Sequence, residues 1–145
     1  MSILSAPSRG KWGNSRYRGN CSGFIYKDLV EQLKPKIFID PTVGSGTSVE
    51  VAQEMGIEAH GLDLHSGFNA LASSILLHVG KRADLVFSHP PYADMIKYSG
   101  HVWGNKVVAG DMSALDNETF CEALQMLLLN QRTATKPGGY YGTLI

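Results

Sequence analysis

Residues 88–92, which read SHPPY, are the first stretch whose residue types suggest chemistry. Two consecutive prolines end a strand and donate no backbone hydrogen bond, so carbonyl oxygens at this corner stay free to accept from a ligand. His89 adds a ring nitrogen that accepts a hydrogen bond when the imidazole is neutral. Tyr92, held by the rigid corner, presents an aromatic face. The corner therefore combines hydrogen-bond acceptors with a ring in a fixed direction.

Residues 40–47, which read DPTVGSGT, form a glycine-rich turn after a short apolar run. Gly44 and Gly46 allow tight turning and the close approach of a ligand to the backbone. Their spacing matches neither the dinucleotide fingerprint nor the nucleoside-triphosphate loop, so a phosphate cradle is not implied. Asp40, at the start of the turn, is suited to accept from the ammonium group of an amino-acid-bearing nucleoside.

Asp63 ends the second predicted strand, about twenty residues after the glycine turn, where an acid commonly holds ribose hydroxyls. Taken separately, the glycine turn is equally a plain strand–helix connection, and the acid is equally a helix cap. Their occurrence together and in this order favours a nucleoside cofactor site.

Alternating helices and strands must position these three elements. The apolar patterns predict helices over 24–33, 48–56 and about 117–133, and strands over 36–40, 57–64, 83–89 and 140–145. Residues 66–82 fit either a strand followed by a short helix or one helix, residues 90–115 fit a loop, and residues 136–139 fit a turn. This alternation is typical of a parallel sheet with helices on both faces, which binds ligands at the carboxyl ends of its strands. The glycine turn, Asp63 and the corner all fall at such ends, which predicts one site.

The composition favours one globular domain of 145 residues, with 43% hydrophobic and 18% charged residues. The 13 basic and 13 acidic residues balance, but residues 1–36 carry seven basic residues against two acidic ones. We therefore expect residues 1–23 to form an irregular basic arm, which either tracks a phosphate backbone or is simply solvated.

The two cysteines, Cys21 and Cys121, lie far apart and form no CxxC pair, which indicates free thiols in a reducing compartment. The N-terminus lacks the apolar stretch of a signal peptide, and no apolar run reaches the ~18 residues of a membrane span. These features predict a soluble cytoplasmic protein without a membrane partner. The five histidines show no metal-ligand spacing, so we expect no metal site.

Three stretches, FIDPTVGSGT, GLDL and DLVFSHPPY, follow one another in an order that resembles the amino-group branch of the S-adenosylmethionine-dependent DNA methyltransferases. That family carries a D-P-x-x-G-S-G-T cofactor loop, a ribose-binding acid after the second strand and a [D/N/S]-P-P-[Y/F/W] corner. The resemblance spans most of residues 15–145. It implies an α/β, Rossmann-like class I methyltransferase fold over residues 24–145, with a mostly parallel sheet and helices on both faces.

The resemblance also implies roles for individual residues. The implied contacts at the methionine end of the cofactor are Gly19, Asn20, Cys21 and Ser22, and the implied contact with its adenine is Asn69. The remaining implied cofactor-binding residues are Asp40, Pro41, Thr42, Gly44, Ser45, Gly46, Thr47, Asp63, Leu64 and Ser88. The implied catalytic residues are His89, Pro90, Pro91 and Tyr92.

In this family the nucleophile is an exocyclic amine whose lone pair is delocalised into a ring. The resemblance implies that the carbonyl of Pro90 and the side chain of His89 accept from this amine, while Tyr92 stacks on a base that has left its helix. His89 replaces the usual Asp, Asn or Ser, and an imidazolium has no acceptor nitrogen. We therefore expect activity to be lost at low pH, with an inactive relative as the alternative.

The expected reaction is methyl transfer from S-adenosyl-L-methionine to N6 of adenine or N4 of cytosine in DNA, the expected partner. RNA or a protein glutamine amide as substrate, and an inactive cofactor-binding subunit that needs a partner, stay open. Lys97, Tyr98 and Trp103 combine charge with ring faces, either to contact nucleic acid or to bury one another. Family members usually continue beyond a position such as Ile145 with a helix and an antiparallel pair of strands. We therefore expect a sheet that is short of its C-terminal strands. Either the chain is a fragment, or a second chain or dimer partner covers the open edge of the sheet.

Overall fold

The computed structural model describes residues 5–91, 98, 100, 106 and 108–145. Within these residues the helices are α1 (Gly23–Leu33), α2 (Thr47–Glu54), α3 (Ile75–Val79) and α4 (Asn117–Thr133), with a 3₁₀ turn at Met112–Ala114. The strands are β1 (Ile37–Asp40), β2 (Glu58–Gly61), β3 (Ala83–Ser88) and β4 (Thr135–Thr143). Helices and strands therefore alternate along the chain, as the sequence predicts.

In the described part of the chain, the four strands form one parallel sheet in the order β2-β1-β3-β4. Ile39 of the central strand β1 pairs with His60 of β2 on one side and with Val86 of β3 on the other. The chain runs from β1 outward to β2 and returns to the far side of β1 for β3. The expected α/β, Rossmann-like class is confirmed, and the crevice where such sheets bind ligands falls at the carboxyl ends of β1 and β3.

Helices cover both faces of the sheet, because successive strand residues point to opposite sides. Phe38 and Leu85 belong to the core that includes residues of α1 and α2. Ile39 and Val86 belong to the core on the other side, together with Ile75 of α3. The predicted two-sided coverage of the sheet is confirmed.

Local sequence signals explain where the two longest helices begin and end. Ser22 caps α1 by accepting from a backbone N–H of its first turn, and Pro35 follows the end of this helix. Asp116 caps α4 in the same way. The helices predicted over 24–33 and about 117–133 are confirmed. Among the residues described, every helix is too short or too polar to span a lipid bilayer.

The prediction for residues 66–82 is only partly right. The short helix α3 forms there, but turns rather than a strand precede it. The carboxylate of Asp63 and the side-chain oxygen of Asn69 each accept from a backbone N–H two residues later. Such local hydrogen bonds compete with a strand and favour turns.

The turn predicted at residues 136–139 is wrong, because these residues lie inside β4. β4 pairs with β3 around them, with a register shift between Ala83 and Leu85. The extra residues form a bulge in which Pro137 has no N–H to donate and Gly138 adopts φ 78°. β4 stands at the edge of the described sheet, where a proline and a bulge are tolerated.

The N-terminal arm is irregular but is docked on the domain. Residues 5–22 contain no helix or strand. The buried ring of Trp12 meets Phe24 edge-on at a centroid distance of 5.3 Å, and its Nε1 donates to Oε2 of Glu54 at 2.8 Å. The arm therefore packs against α1 and α2 instead of extending freely into solvent.

Candidate functional site

A cavity of about 250 Å³ lies where the carboxyl ends of β1, β2 and β3 meet. Its lining from these strand ends includes Pro41, Thr42, Gly44 and Thr47 after β1, Asp63 and Leu64 after β2, and His89, Pro90 and Pro91 after β3. The structure thus brings together the three elements that the sequence singles out.

Asp40 supports the glycine loop from behind the cavity. Its carboxylate is fully buried, accepts from the backbone N–H of Thr42 at 2.9 Å, and accepts from the hydroxyl of Ser48. Burial raises the pKa of Asp40 to about 6, although these hydrogen bonds act in the opposite direction. Asp40 is not among the residues that line the cavity. This placement does not support direct contact with a ligand ammonium group.

The glycine loop approaches the cavity closely. Gly44 adopts φ 52°, and a Cβ at this position would stand 3.2 Å from the ring of Tyr17. A larger residue would therefore strain the backbone and displace the tyrosine. Ser45 and Gly46, which lead into α2, do not line the cavity, and the Ser45 hydroxyl donates to Oδ1 of Asn20.

Asp63 links the ends of β1 and β2 and faces the cavity. Its Oδ2 accepts from the backbone N–H of Gly44 at 3.0 Å, and its Oδ1 accepts from that of His65 at 2.9 Å. A carboxylate has about four acceptor sites, so these two contacts leave it able to bind a ligand diol as well. Asp63 thus holds the glycine loop, and its carboxylate is suited to accept hydrogen bonds from ribose hydroxyls.

The corner after β3 is fixed to the glycine loop. The backbone N–H of His89 donates to Oγ1 of Thr42 at 3.0 Å. Burial lowers the pKa of His89, so its imidazole is neutral at neutral pH and retains an acceptor nitrogen. Ser88 is fully buried inside β3 and does not line the cavity, and its hydroxyl donates to Thr143 at 3.0 Å. Tyr92 lies outside the described residues.

The segment before α1 forms another wall of the cavity. Gly19, Asn20 and Cys21 line it, whereas Ser22 caps α1 and donates from its hydroxyl to the carbonyl of Ser8 at 2.7 Å. Both ends of the Asn20 amide are engaged, since its nitrogen donates to a carbonyl of the same segment and its oxygen accepts from the glycine loop. Burial raises the pKa of the Cys21 thiol, which keeps it protonated.

Two tyrosines that the sequence did not assign to the cofactor close this side of the cavity. The rings of Tyr17 and Tyr98 stack at a centroid distance of 5.9 Å, and both line the cavity. The hydroxyl of Tyr98 donates to the carbonyl of Arg18 at 2.8 Å, which ties the chain after β3 to the N-terminal arm. Burial, with Tyr17 and Asp111 nearby, raises the pKa of Tyr98 to about 12. Lys97 and Trp103, the other proposed contacts of this stretch, lie outside the described residues.

An acid that sequence reasoning missed lines the far wall. Asp111 is only 4% exposed, and its Oδ1 accepts from the backbone N–H and the hydroxyl of Ser113. Asn69, the residue assigned to the adenine, lies behind this wall and donates to the carbonyl of Ala109 at 3.4 Å. Apolar side chains complete the wall: Phe68, Leu71, Met112 and Leu127. The sequence feature that could have pointed to Asp111 is an acidic residue directly after Gly110 in the predicted loop.

Two acidic side chains are among the described residues that line the cavity. Asp63 and Asp111 line it, and the described lining residues include no lysine or arginine. In the part of the chain that the structure describes, no three His, Cys, Asp or Glu side chains cluster as metal ligands. A scan against protein-family models finds no match to the chain, and a search of the curated proteins finds none either.

Proposed function

We propose that the protein is an S-adenosylmethionine-dependent methyltransferase that methylates an exocyclic amino group, N6 of adenine or N4 of cytosine, in DNA. One observation carries the proposal: the glycine loop, Asp63 and the corner at 89–91 line a single cavity at the carboxyl ends of adjacent strands. These elements come from stretches that are far apart in the sequence. Their meeting in one cavity supports a common ligand.

The charge of the cavity supports this cofactor over a nucleotide. S-adenosylmethionine carries a sulfonium and an ammonium group, which two carboxylates attract. A nucleoside triphosphate would meet Asp63 and Asp111 and no cation among the described lining residues. The sequence of the glycine loop also argues against a nucleoside triphosphate, because the loop lacks the lysine of a phosphate-binding loop.

The residues present fit the parts of the cofactor. In the proposal Asp63 accepts from the ribose hydroxyls, and Leu64 contacts the adenine. Asp111 accepts from the amino group of that adenine, the role that the sequence reading gave to Asn69. The methionine end lies toward Cys21. Bound cofactor would supply an electrophilic methyl group on its sulfonium sulfur.

The corner after β3 would hold the target amine. The neutral imidazole of His89 accepts from the amine N–H, and the carbonyl of Pro90 supplies a second acceptor. As the nitrogen–carbon bond forms, the bond from the methyl carbon to sulfur would break, and the amine would lose one proton, which the acceptor nitrogen of His89 can take. Tyr92 would stack on the base once the base has left its helix. Positioning supplies most of the rate in such an in-line displacement.

The experiment that tests this function is mass spectrometry of nucleosides after incubation with deuterated-methyl S-adenosylmethionine and a mixture of DNA and RNA. The proposal expects labelled N6-methyladenine or N4-methylcytosine in the DNA fraction. The Tyr92→Ala variant should bind the cofactor normally in calorimetry and lose methyl transfer.

The outcomes separate the alternatives. Label found only in RNA would move the activity to RNA. In a parallel incubation with protein in place of nucleic acid, label found only in the protein would point to a glutamine amide. Cofactor binding without any label would favour an inactive cofactor-binding subunit, and absence of cofactor binding would refute the proposal as a whole.

A further inference from the structure

We infer that Arg16 and Arg18 bind the phosphate backbone of the DNA substrate at the rim of the cavity. The inference rests on the proposed function and adds to it the surface that receives the strand. The segment that carries both residues, residues 14–21, is called the strap below.

The strap is a compact loop whose position is fixed. The carbonyl of Asn14 accepts from the backbone N–H of Tyr17 at 3.0 Å and from the side-chain nitrogen of Asn20. The Asn20 oxygen in turn accepts from Ser45 of the glycine loop. The hydroxyl of Tyr98 donates to the strap from the opposite side. An exposed side chain on this loop therefore has a defined place relative to the cavity.

The strap presents alternate side chains to the cavity and to solvent. Tyr17 is half-buried and lines the cavity, where its ring stacks on Tyr98. Its two neighbours, Arg16 and Arg18, are both exposed. The two exposed arginines are thus the chain neighbours of a residue that lines the cavity together with His89.

The strap carries positive charge. Residues 5–22 contain four basic residues and no acidic one. Lys11 is paired with Glu54 at 3.1 Å. Within the part of the chain that the structure describes, Arg16 and Arg18 form no ion pair. These two exposed arginines, for which the described residues provide no acidic partner, are called the cationic rim.

A phosphate backbone fits this rim better than a small ligand does. Guanidinium groups bind phosphate oxygens in a bidentate geometry and do not distinguish the base. A base extruded into the cavity keeps its own phosphates outside, where the two arginines lie. The cationic rim would then hold the strand while the cavity receives the base.

The test is DNA binding measured by fluorescence anisotropy over a range of salt concentrations. The Arg16→Gln/Arg18→Gln variant is compared with the Lys34→Gln/Lys36→Gln variant, which removes the same charge. Lys34 and Lys36 are exposed and lie just before β1, at the amino end of the sheet and away from the cavity. Calorimetry with S-adenosylhomocysteine reports cofactor binding for each protein separately.

The arginine variant should lower the slope of log affinity against log salt by about 0.9 for each lost phosphate contact, about 1.8 in all. Its affinity should fall equally for DNA of different sequence, and its cofactor affinity should stay as in the wild type. The lysine variant should keep the wild-type slope.

Three results would overturn the inference. They are an unchanged slope in the arginine variant, an equal loss in the lysine variant, and a wild-type protein that binds no DNA. Preference for RNA would overturn DNA as the partner. Since cofactor binding is measured apart from DNA, failure of this inference leaves the methyltransferase proposal to its own test.

Discussion

Replacing Asp63 by asparagine should weaken cofactor binding by about 10- to 100-fold. Each oxygen of Asp63 already accepts from one backbone N–H, of Gly44 or of His65. Asparagine keeps one acceptor oxygen, loses the charge, and turns an NH₂ group toward one of these donors or toward the ligand. A hydrogen bond to a charged group contributes about 1.5–3 kcal/mol. At about 1.4 kcal/mol per tenfold in affinity, its loss corresponds to the stated range.

The assay is isothermal titration calorimetry with S-adenosylhomocysteine, with urea unfolding as the measure of stability. Asp84→Asn is the matched control. The Asp84 carboxylate also accepts from backbone N–H groups, those of Lys36 at 3.0 Å and Ile37 at 2.8 Å, but it lies at the amino end of the sheet. Both variants should lose stability, because Asp63→Asn leaves a backbone donor less well satisfied and Asp84→Asn turns an NH₂ group either toward its backbone donors or toward Nζ of Lys136. Only Asp63→Asn should lose cofactor affinity.

An Asp63→Asn variant that binds within a factor of about three of the wild type would refute the ribose contact. Equal affinity losses in both variants would show that the effect comes from general destabilisation. In either case Asp63 would be a residue that only holds the glycine loop.

Three further predictions concern buried polar groups. The acid limb of the methyl-transfer rate should lie at a pH below the ordinary histidine pKa of about 6.5, because burial lowers the pKa of His89 and only its protonated form lacks an acceptor; a His89→Asn variant with the same acid limb in its pH profile would contradict this role. Carbon-13 NMR should find that Asp40 titrates near pH 6. The Ser48→Ala variant should raise the pKa of Asp40 further, because it removes a hydrogen bond that lowers this pKa. An unchanged or lower pKa in the variant would rule out the hydrogen bond from Ser48. Gln131 is fully buried and its amide has no partner among the described residues, so Gln131→Met should raise the free energy of unfolding in urea by about 1 kcal/mol. A clear loss of stability would instead indicate a buried water on the amide.

The sequence predicts the elements that depend on local signals. An N-cap aspartate before α4 and a proline after α1 determine these helix boundaries through contacts within a few residues. Short apolar runs predict β1 and β3, because a strand buried on both faces needs apolar residues throughout. The meeting of the three strand ends follows from the parallel topology, and the cavity there involves the predicted residues Asp63 and His89.

The parts that the sequence did not predict depend on contacts between distant residues. Tyr98 donates to Arg18 across 80 positions of the chain, and no local pattern indicates that pairing. Asp111 faces the cavity only because the chain after β3 returns past Asn69. The bulge in β4 depends equally on its pairing with β3, since the same residues alone favour a turn.

Burial separates the roles of two aspartates that look alike in the sequence. Asp40 ends β1, Asp63 lies two residues after β2, and each accepts from a backbone N–H of the glycine loop. Full burial raises the pKa of Asp40, and this residue does not line the cavity. Asp63 lines the cavity together with Asp111, while burial keeps the nearby His89 uncharged at neutral pH. Two acidic side chains therefore line the described interior, whereas the strap outside carries two exposed arginines that form no ion pair within the described part of the chain. In our proposals a cofactor with a sulfonium centre would meet the acidic interior and a phosphate backbone would meet the strap, so the two ligands would occupy separate places.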